Sequence, residues 1–319
     1  MIEVPSPALS IVGRHNSGKT TLVVKLIAEL TARGHDVGSV KHHSHGEFDI
    51  DHPGKDSYRQ REAGATETVI ASPTKMARVK TLKHELECSQ IVRSMPGHDI
   101  IVVEGYRKSG LPTIEIMRQA NEADAVVAQV FLGDARDGVA LTGDSVQRSR
   151  GKDAFVRDIA EKMPDANTVA VVTDIPAACE AAALCGIPCF GLDDIGDIVG
   201  FLEEHYVRPR VSVAIQAGGE SRRMGRSKAT VPFVGKPLIT RLVRRLSPVA
   251  DELIITTNEP ENLGFLAEEF PHLDITLMRD AYDFRGALPG LFTALSTASN
   301  PYVAIVACDM VFASAPLVV

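Results

Sequence analysis

Short apolar runs alternate with longer amphipathic stretches along the chain. Leu9 to Val12, Val37 to Val40, Thr68 to Ala71, Ile100 to Val103, Ala125 to Val130 and Val169 to Thr173 are compact enough to predict strands. Between the first two, Leu22, Val23, Leu26, Ile27 and Leu30 recur at a 3.6-residue period, the apolar stripe of a surface helix. Strands alternating with helices predict an α/β fold with a mainly parallel sheet. A helix around Ile195 to His205 closes this series, and Pro209 interrupts the next stretch, "VRPRVSVAIQ". The alternation then restarts: strand Val213 to Gln216, helix Leu238 to Leu246, strands Leu253 to Thr257 and Ile275 to Met278, helix Leu291 to Ser296, and strand Tyr302 to Val306. Two domains follow, 1–207 and 208–319, as the length also suggests.

Composition narrows the class. The chain is 45% apolar and 24% charged, an ordinary globular mixture. No apolar run approaches the ~18 residues of a membrane span, and "MIEVPSPALS" has neither the basic start nor the apolar core of a secretory signal, so a cytoplasmic protein without a membrane partner is expected. A net charge of −7 disfavours a nucleic-acid partner, because such binders carry a basic footprint. Cys88, Cys179, Cys185, Cys189 and Cys308 match no zinc spacing, and their odd number argues against a disulfide framework; buried, inert thiols are expected.

The chemistry begins at Gly13-Arg-His-Asn-Ser-Gly-Lys-Thr20, which fits the phosphate-loop pattern G-x-x-x-x-G-K-[ST] between a predicted strand and helix. In such a loop backbone N–H groups turn onto phosphate oxygens, the lysine reaches the β- and γ-phosphates, and the hydroxyl is offered to Mg²⁺. Gly13, Asn16, Ser17, Gly18, Lys19, Thr20 and Thr21 are therefore candidate nucleotide contacts, with Thr20 on the metal. Glu104, at the carboxyl end of the Ile100 to Val103 strand, is a second metal candidate, whereas Asp99 at the other end faces away. After the second strand, His42, His43, His45, His52, Asp49, Asp51 and Asp56 crowd together, either as a metal site or as contacts to phosphate or a partner chain. Asp174, at a strand end before Pro176, either accepts from the edge of a nucleotide base or caps the Ala-rich helix through Leu184.

Lys41-His42, Asp49-Ile-Asp51, "PGKDSYR" (Pro53 to Arg59), Ala63-Gly-Ala65 and Val103-Glu-Gly-Tyr106 together resemble MobB, the GTP-binding adaptor family of molybdenum-cofactor biosynthesis, over residues 1 to about 207. The resemblance implies a P-loop NTPase domain that binds GTP with Mg²⁺, hydrolyses it slowly at best and tends to form homodimers. It adds Asp51 to the candidate metal ligands and, with GTP as the ligand, makes guanine the base whose edge Asp174 would meet. Molybdenum insertion proteins and molybdoenzyme acceptors are the partners it implies.

A second loop, Ala214-Ile-Gln-Ala-Gly-Gly-Glu-Ser-Arg-Arg-Met-Gly-Arg-Ser-Lys228, lacks G-K-[ST]. Followed by "VPFVGKPLI", Thr256-Thr-Asn258, Asp280 and Ala307-Cys-Asp309, it resembles the MobA family of molybdenum-cofactor guanylyltransferases. Asn258, Asp280 and Asp309 each lie just past a predicted parallel strand, where doubly wound sheets bind ligands. By the resemblance this is a Rossmann-like nucleotidyltransferase domain. Ala217, Gly218 and Gly219 with Lys228 and Arg223 would cradle the triphosphate, Asn258 and Asp280 would contact guanosine, and Asp309 would hold Mg²⁺. Lys228, Arg223 and Asp309 are the candidate catalytic residues, and Mo-molybdopterin would be the acceptor of GMP. Gln216 stands where the family has Leu, Ser227 where it has Asp before the lysine, and Gly286-Ala-Leu-Pro-Gly290 exchanges its Pro and Ala. The family also continues past Val319 into an acceptor-binding half. For these 319 residues nucleotide binding is expected without transfer, with Leu317, Val318 and Val319 uncovered. The expected function is synthesis of molybdopterin guanine dinucleotide, the alternatives being a cytidylyltransferase or a non-catalytic GTP-dependent carrier.

Overall fold

The computed structural model describes residues 5–43, 52–142, 154–218, 227–282 and 286–315. The chain divides into compact units Ser6–Val207 and Arg208–Val319. Asp51, His45, Asp49, Gly219, Arg223, Leu317, Val318 and Val319 lie outside the described residues.

The first unit runs β1 (Ala8–Val12), α1 (Lys19–Ala32), β2 (Val37–Lys41), α2 (Asp56–Glu62), β3 (Glu67–Ala71), β4 (Met76–Lys80), α3 (Cys88–Arg93), β5 (Ile100–Glu104), β6 (Thr113–Met117), α4 (Glu122–Arg136), α5 (Ala154–Glu161), β7 (Thr168–Thr173), α6 (Pro176–Leu184), β8 (Cys189–Phe190) and α7 (Ile195–His205). Six strands form one parallel sheet in the order β2-β5-β1-β6-β7-β8. Leu22, Leu26 and Leu30 of α1 pack with Ile198 and Leu202 of α7 against Leu9, Ile11 and Ile114. On the other face Val127, Ala128 and Phe131 of α4 meet Ala178, Ala181 and Ala182 of α6. Over β5 that face is covered by Cys88, Ile91 and Val92 of α3, so β5 is buried from end to end, which explains its unbroken apolar run.

Several expectations are corrected. Ala125 to Val130 is no strand but part of α4: the Asn121 side chain accepts from the Ala123 N–H, acidic Glu122 and Asp124 occupy the first turn, and the buried Val127, Ala128, Phe131 and Leu132 share one helical face. Thr68 to Ala71 is a strand, β3, but it leaves the main sheet and pairs antiparallel with β4. The few residues from 72 to 75 suffice for a hairpin and not for a parallel crossover. Strand β6 was not anticipated, because Glu115 interrupts its apolar pattern. Cys179 and Cys189 are not free thiols. They form a disulfide between α6 and β8, with Cα atoms 5.4 Å apart, while Cys88, Cys185 and Cys308 remain unpaired.

The second unit contains β9 (Val211–Gln216), the short ribbon β10 (Pro232–Phe233) and β11 (Lys236–Pro237), α8 (Leu238–Leu246), β12 (Glu252–Thr257), α9 (Phe265–Glu269), β13 (Ile275–Arg279), α10 (Leu288–Thr297) and β14 (Tyr302–Ala307). Its parallel sheet has the order β13-β12-β9-β14. Ile239, Leu242, Val243 and Leu246 of α8 cover one face with Val213, Ile215, Leu253 and Ile255. Ala294 of α10 packs on the other, over Ala214 and Ile254. The displaced proline of "GALPG" falls in the first turn of α10, where a missing N–H costs nothing. Among the described residues no helix is long and apolar enough to cross a membrane.

Candidate nucleotide sites

In the first unit the phosphate loop leaves the end of β1, a central strand, and enters α1. Asn16 (φ 63°) and Gly18 (φ 90°) are both left-handed, which turns the backbone back over the strand end. Lys19 is folded onto the loop: its Nζ donates to the Gly13 carbonyl (3.0 Å) and the Arg14 carbonyl (2.6 Å). Burial lowers its pKa, and the nearby Glu104 and Glu115 carboxylates oppose that shift. Strand register places Ile11, Lys41 and Glu104 side by side at the carboxyl end of the sheet. There the Thr20 hydroxyl donates to Glu104 Oε1 (2.7 Å), and Lys41 Nζ donates to the same oxygen (3.0 Å). Asp99 accepts from the Asp36 N–H at the opposite end of β5. Thr21 and Asn16 are exposed. Ser17 is buried, with its hydroxyl turned to Asp124 and its N–H donated to the Arg14 carbonyl.

Asp174 does not cap α6. The capping position is Ile175, with no side-chain cap, and the Asp174 carboxylate accepts instead from the Gln119 N–H (2.6 Å). His42 stacks on Tyr106 with centroids 4.1 Å apart and meets Glu85 at 2.6 Å. Among the described residues no group of three or more His, Cys, Asp or Glu side chains could hold a metal ion.

Sequence reasoning missed the supports of the loop. Asn121 Nδ2 donates to the His15 carbonyl (2.9 Å), Asp124 accepts from Ser17 (2.5 Å), and Arg14 ion-pairs with Asp158. Behind them Arg107 holds Glu115 through two nitrogens, and Glu115 is 1% exposed. Only the acidic first turn of α4 hinted at any of this.

In the second unit Ala217, 3% exposed, donates its N–H to the Thr256 carbonyl (2.7 Å), seating Gly218 at the end of β9. A Cβ on Gly218 would stand 2.6 Å from Asp280 Oδ2 and 3.6 Å from Asn258 Nδ2, so the structure brings both side chains to this bare backbone. A Cβ on Gly290 would meet Thr256 Oγ1 (3.0 Å), Gln216 Nε2 (3.1 Å) and Asp280 Oδ1 (3.3 Å). Asp280 Oδ1 and Thr256 Oγ1 are buried without a hydrogen-bond partner among the described residues, and burial raises the Asp280 pKa. At the end of β14 Lys228 Nζ and Asp309 Oδ2 lie 3.0 Å apart, and their hydrogen bond raises the lysine pKa and lowers the aspartate's.

Fold and motifs define a two-unit α/β protein, a P-loop NTPase fold followed by a nucleotidyltransferase fold. A family model described as "Molybdopterin guanine dinucleotide synthesis protein B", MobB, matches residues 8–132, and one described as "MobA-like NTP transferase domain" matches 213–319. A molybdopterin-guanine dinucleotide biosynthesis adapter protein of Haemophilus influenzae is 38% identical over 117 residues, 35% of this chain and 64% of the relative. A probable adapter protein of the same description from Bacillus subtilis is 30% identical over 129 residues, 39% of this chain and 72% of the relative. A probable molybdenum cofactor guanylyltransferase of Carboxydothermus hydrogenoformans is 39% identical over 100 residues, 31% of this chain and 47% of the relative. The chain belongs to the MobB family and carries a MobA-like NTP transferase domain. It spans about half the length of the guanylyltransferase relatives it matches.

Proposed function

We propose that the chain is a molybdenum cofactor guanylyltransferase joined to its GTP-binding adapter, with 1–207 and 208–319 as its domains. One observation carries the transferase reading: Asn258 and Asp280 converge on the bare backbone of Gly218 at the carboxyl ends of parallel strands, and Lys228 pairs with Asp309 beside them. The buried Asp280 oxygen without a partner is an acceptor suited to the N–H edge of guanine. In the proposed reaction a terminal phosphate oxygen of Mo-molybdopterin attacks the α-phosphorus of GTP. The new P–O bond forms as the α–β bridge breaks, and pyrophosphate leaves. Lys228, with Arg223, neutralises charge on the phosphates. The chain supplies position and charge and no covalent nucleophile.

Carboxylate and hydroxyl oxygens are the donors Mg²⁺ takes, so Asp309 in the second unit and the adjoining Thr20 and Glu104 in the first fit that ion. Bound there, it would neutralise phosphate charge. In the first unit Lys19, released from the Gly13 and Arg14 carbonyls, reaches the β- and γ-phosphates of GTP, and Asp174 accepts from the base. Slow GTP hydrolysis, homodimerisation through this unit and delivery to molybdoenzymes belong to the same reading.

The test incubates the full chain with Mo-molybdopterin, Mg²⁺ and labelled GTP or CTP. Dinucleotide and pyrophosphate should form from GTP with a chain extended through the family's acceptor-binding half, whereas residues 1–319 alone should bind GTP without transfer. Lys19→Ala should remove one of two GTP-binding events in calorimetry and leave that product. Product from CTP alone identifies a cytidylyltransferase, and GTP binding without product in both the 319-residue and the extended chain identifies a carrier.

A further inference from the structure

Ser17 lies between the two left-handed residues of the phosphate loop, Asn16 and Gly18. Left-handed backbone is free for Gly18 but strained for Asn16, and strain of that kind persists only where the surroundings hold it, so a tether on Ser17 bears directly on the shape of the loop. The residue that fixes it is Asp124, fully buried in the first turn of α4. Asp124 Oδ2 accepts from the Ser17 hydroxyl (2.5 Å) and also from the Arg118 N–H (3.0 Å), whereas Oδ1 has no hydrogen-bond partner among the described residues. The next amide along, Gln119 N–H, is held by Asp174 (2.6 Å). Consecutive amides after β6 are thus gripped by two carboxylates, one tied to the phosphate loop and one at the end of β7. Asn121 adds a second tie between the same turn of α4 and the loop, its Nδ2 donating to the His15 carbonyl (2.9 Å) and, at 3.4 Å, to the Ser17 hydroxyl.

We propose that Asp124 is a positioning residue that locks the phosphate loop and the Arg118–Gln119 segment into one preformed nucleotide seat, acting as a hydrogen-bond acceptor through Oδ2 and not through its charge. The inference rests on the reading of the first unit as a GTP site. Preformation matters because a loop that must be ordered by its ligand loses affinity to the ordering. Since both bonds end on one oxygen, a carboxamide can keep them, with its oxygen in the place of Oδ2 and its nitrogen in the place of the unpartnered Oδ1.

The experiment titrates the full chain calorimetrically with GTP and with inorganic tripolyphosphate, the first-unit event being the one that Lys19→Ala removes. Asp124→Ala should weaken that event about tenfold or more for both ligands, as expected for buried groups left unpaired. Asp124→Asn should stay within about threefold of wild type, since it keeps the acceptor. Ser17→Ala, which deletes one of the two Asp124 bonds together with the longer one from Asn121 Nδ2 to the Ser17 hydroxyl (3.4 Å), should fall between them and serves if Asp124→Ala does not fold. Binding unchanged in Asp124→Ala or Ser17→Ala, with the Lys19-dependent event intact, overturns this inference alone. Asp124→Asn as weak as Asp124→Ala overturns it in favour of charge. If Lys19→Ala removes no event, the reading of the first unit fails and the inference falls with it.

Discussion

Gly13 is where the phosphate loop and the core of the first unit compete for the same space. A Cβ placed on it would stand 2.5 Å from the Ile116 carbonyl oxygen and 2.7 Å from Ile116 Cγ2. The backbone of Gly13 is not left-handed, so Gly13→Ala tests steric room and not conformational strain. Neither obstacle can retreat easily. Ile116 is 3% exposed, and its strand β6 is paired on both sides, to β1 and to β7. Overpacking of this kind costs about 1 to 3 kcal/mol. In a unit of this size each kcal/mol shifts the melting midpoint by roughly 2–4 °C, so scanning calorimetry should show a fall of about 2 to 12 °C. GTP affinity of the Lys19-dependent site should fall with it, because the shifted residue begins the loop. Gly133→Ala is the control: Gly133 lies in α4 with nothing near the added methyl, and the exchange should stabilise by about 1 kcal/mol. A Gly13→Ala chain that melts with wild type and binds GTP equally would refute the steric argument.

Two further outcomes follow from buried charges. Arg107→Ala leaves Glu115, 1% exposed, without its bidentate partner and should cost about 3 to 5 kcal/mol in urea unfolding, whereas Arg107→Met with Glu115→Leu should recover most of it; equal loss in the double variant would show that the pair itself is worth more than its desolvation. Burial raises the Asp280 pKa above its unfolded value, so that group's contribution is fully present below the ordinary value of 3.8 and is lost as pH rises through the raised one. Asp280→Asn should therefore raise the unfolding midpoint at pH 7, with the advantage closing as the pH falls toward 3.8, and should weaken GTP binding to the second unit about ten- to a hundredfold. A pH-independent gap would mean that the carboxylate is not the destabilising group.

Helices Ile195–His205 and Leu238–Leu246 stand where their patterns put them, and both loops and the strand-end acids were visible as motifs. Their information is local: an apolar period, a flanking proline or glycine and a fixed motif spacing survive in one dimension. A short apolar run is ambiguous without its surroundings. Ala125 to Val130 became helix because Asn121 caps it and one face meets α6, and β6 escaped notice because Glu115 makes sense in a buried strand only with Arg107 against it. The MobB and MobA resemblances were carried by residues in order, which folding does not alter. What only the tertiary structure decided are pairings in space: Ser17 with Asp124 across a separation of 107 positions, the approach of Asp280 to Gly218, and the Cys179–Cys189 bond. Such contacts leave no local period, because a buried polar group needs one partner in space and the chain can bring it from any distance.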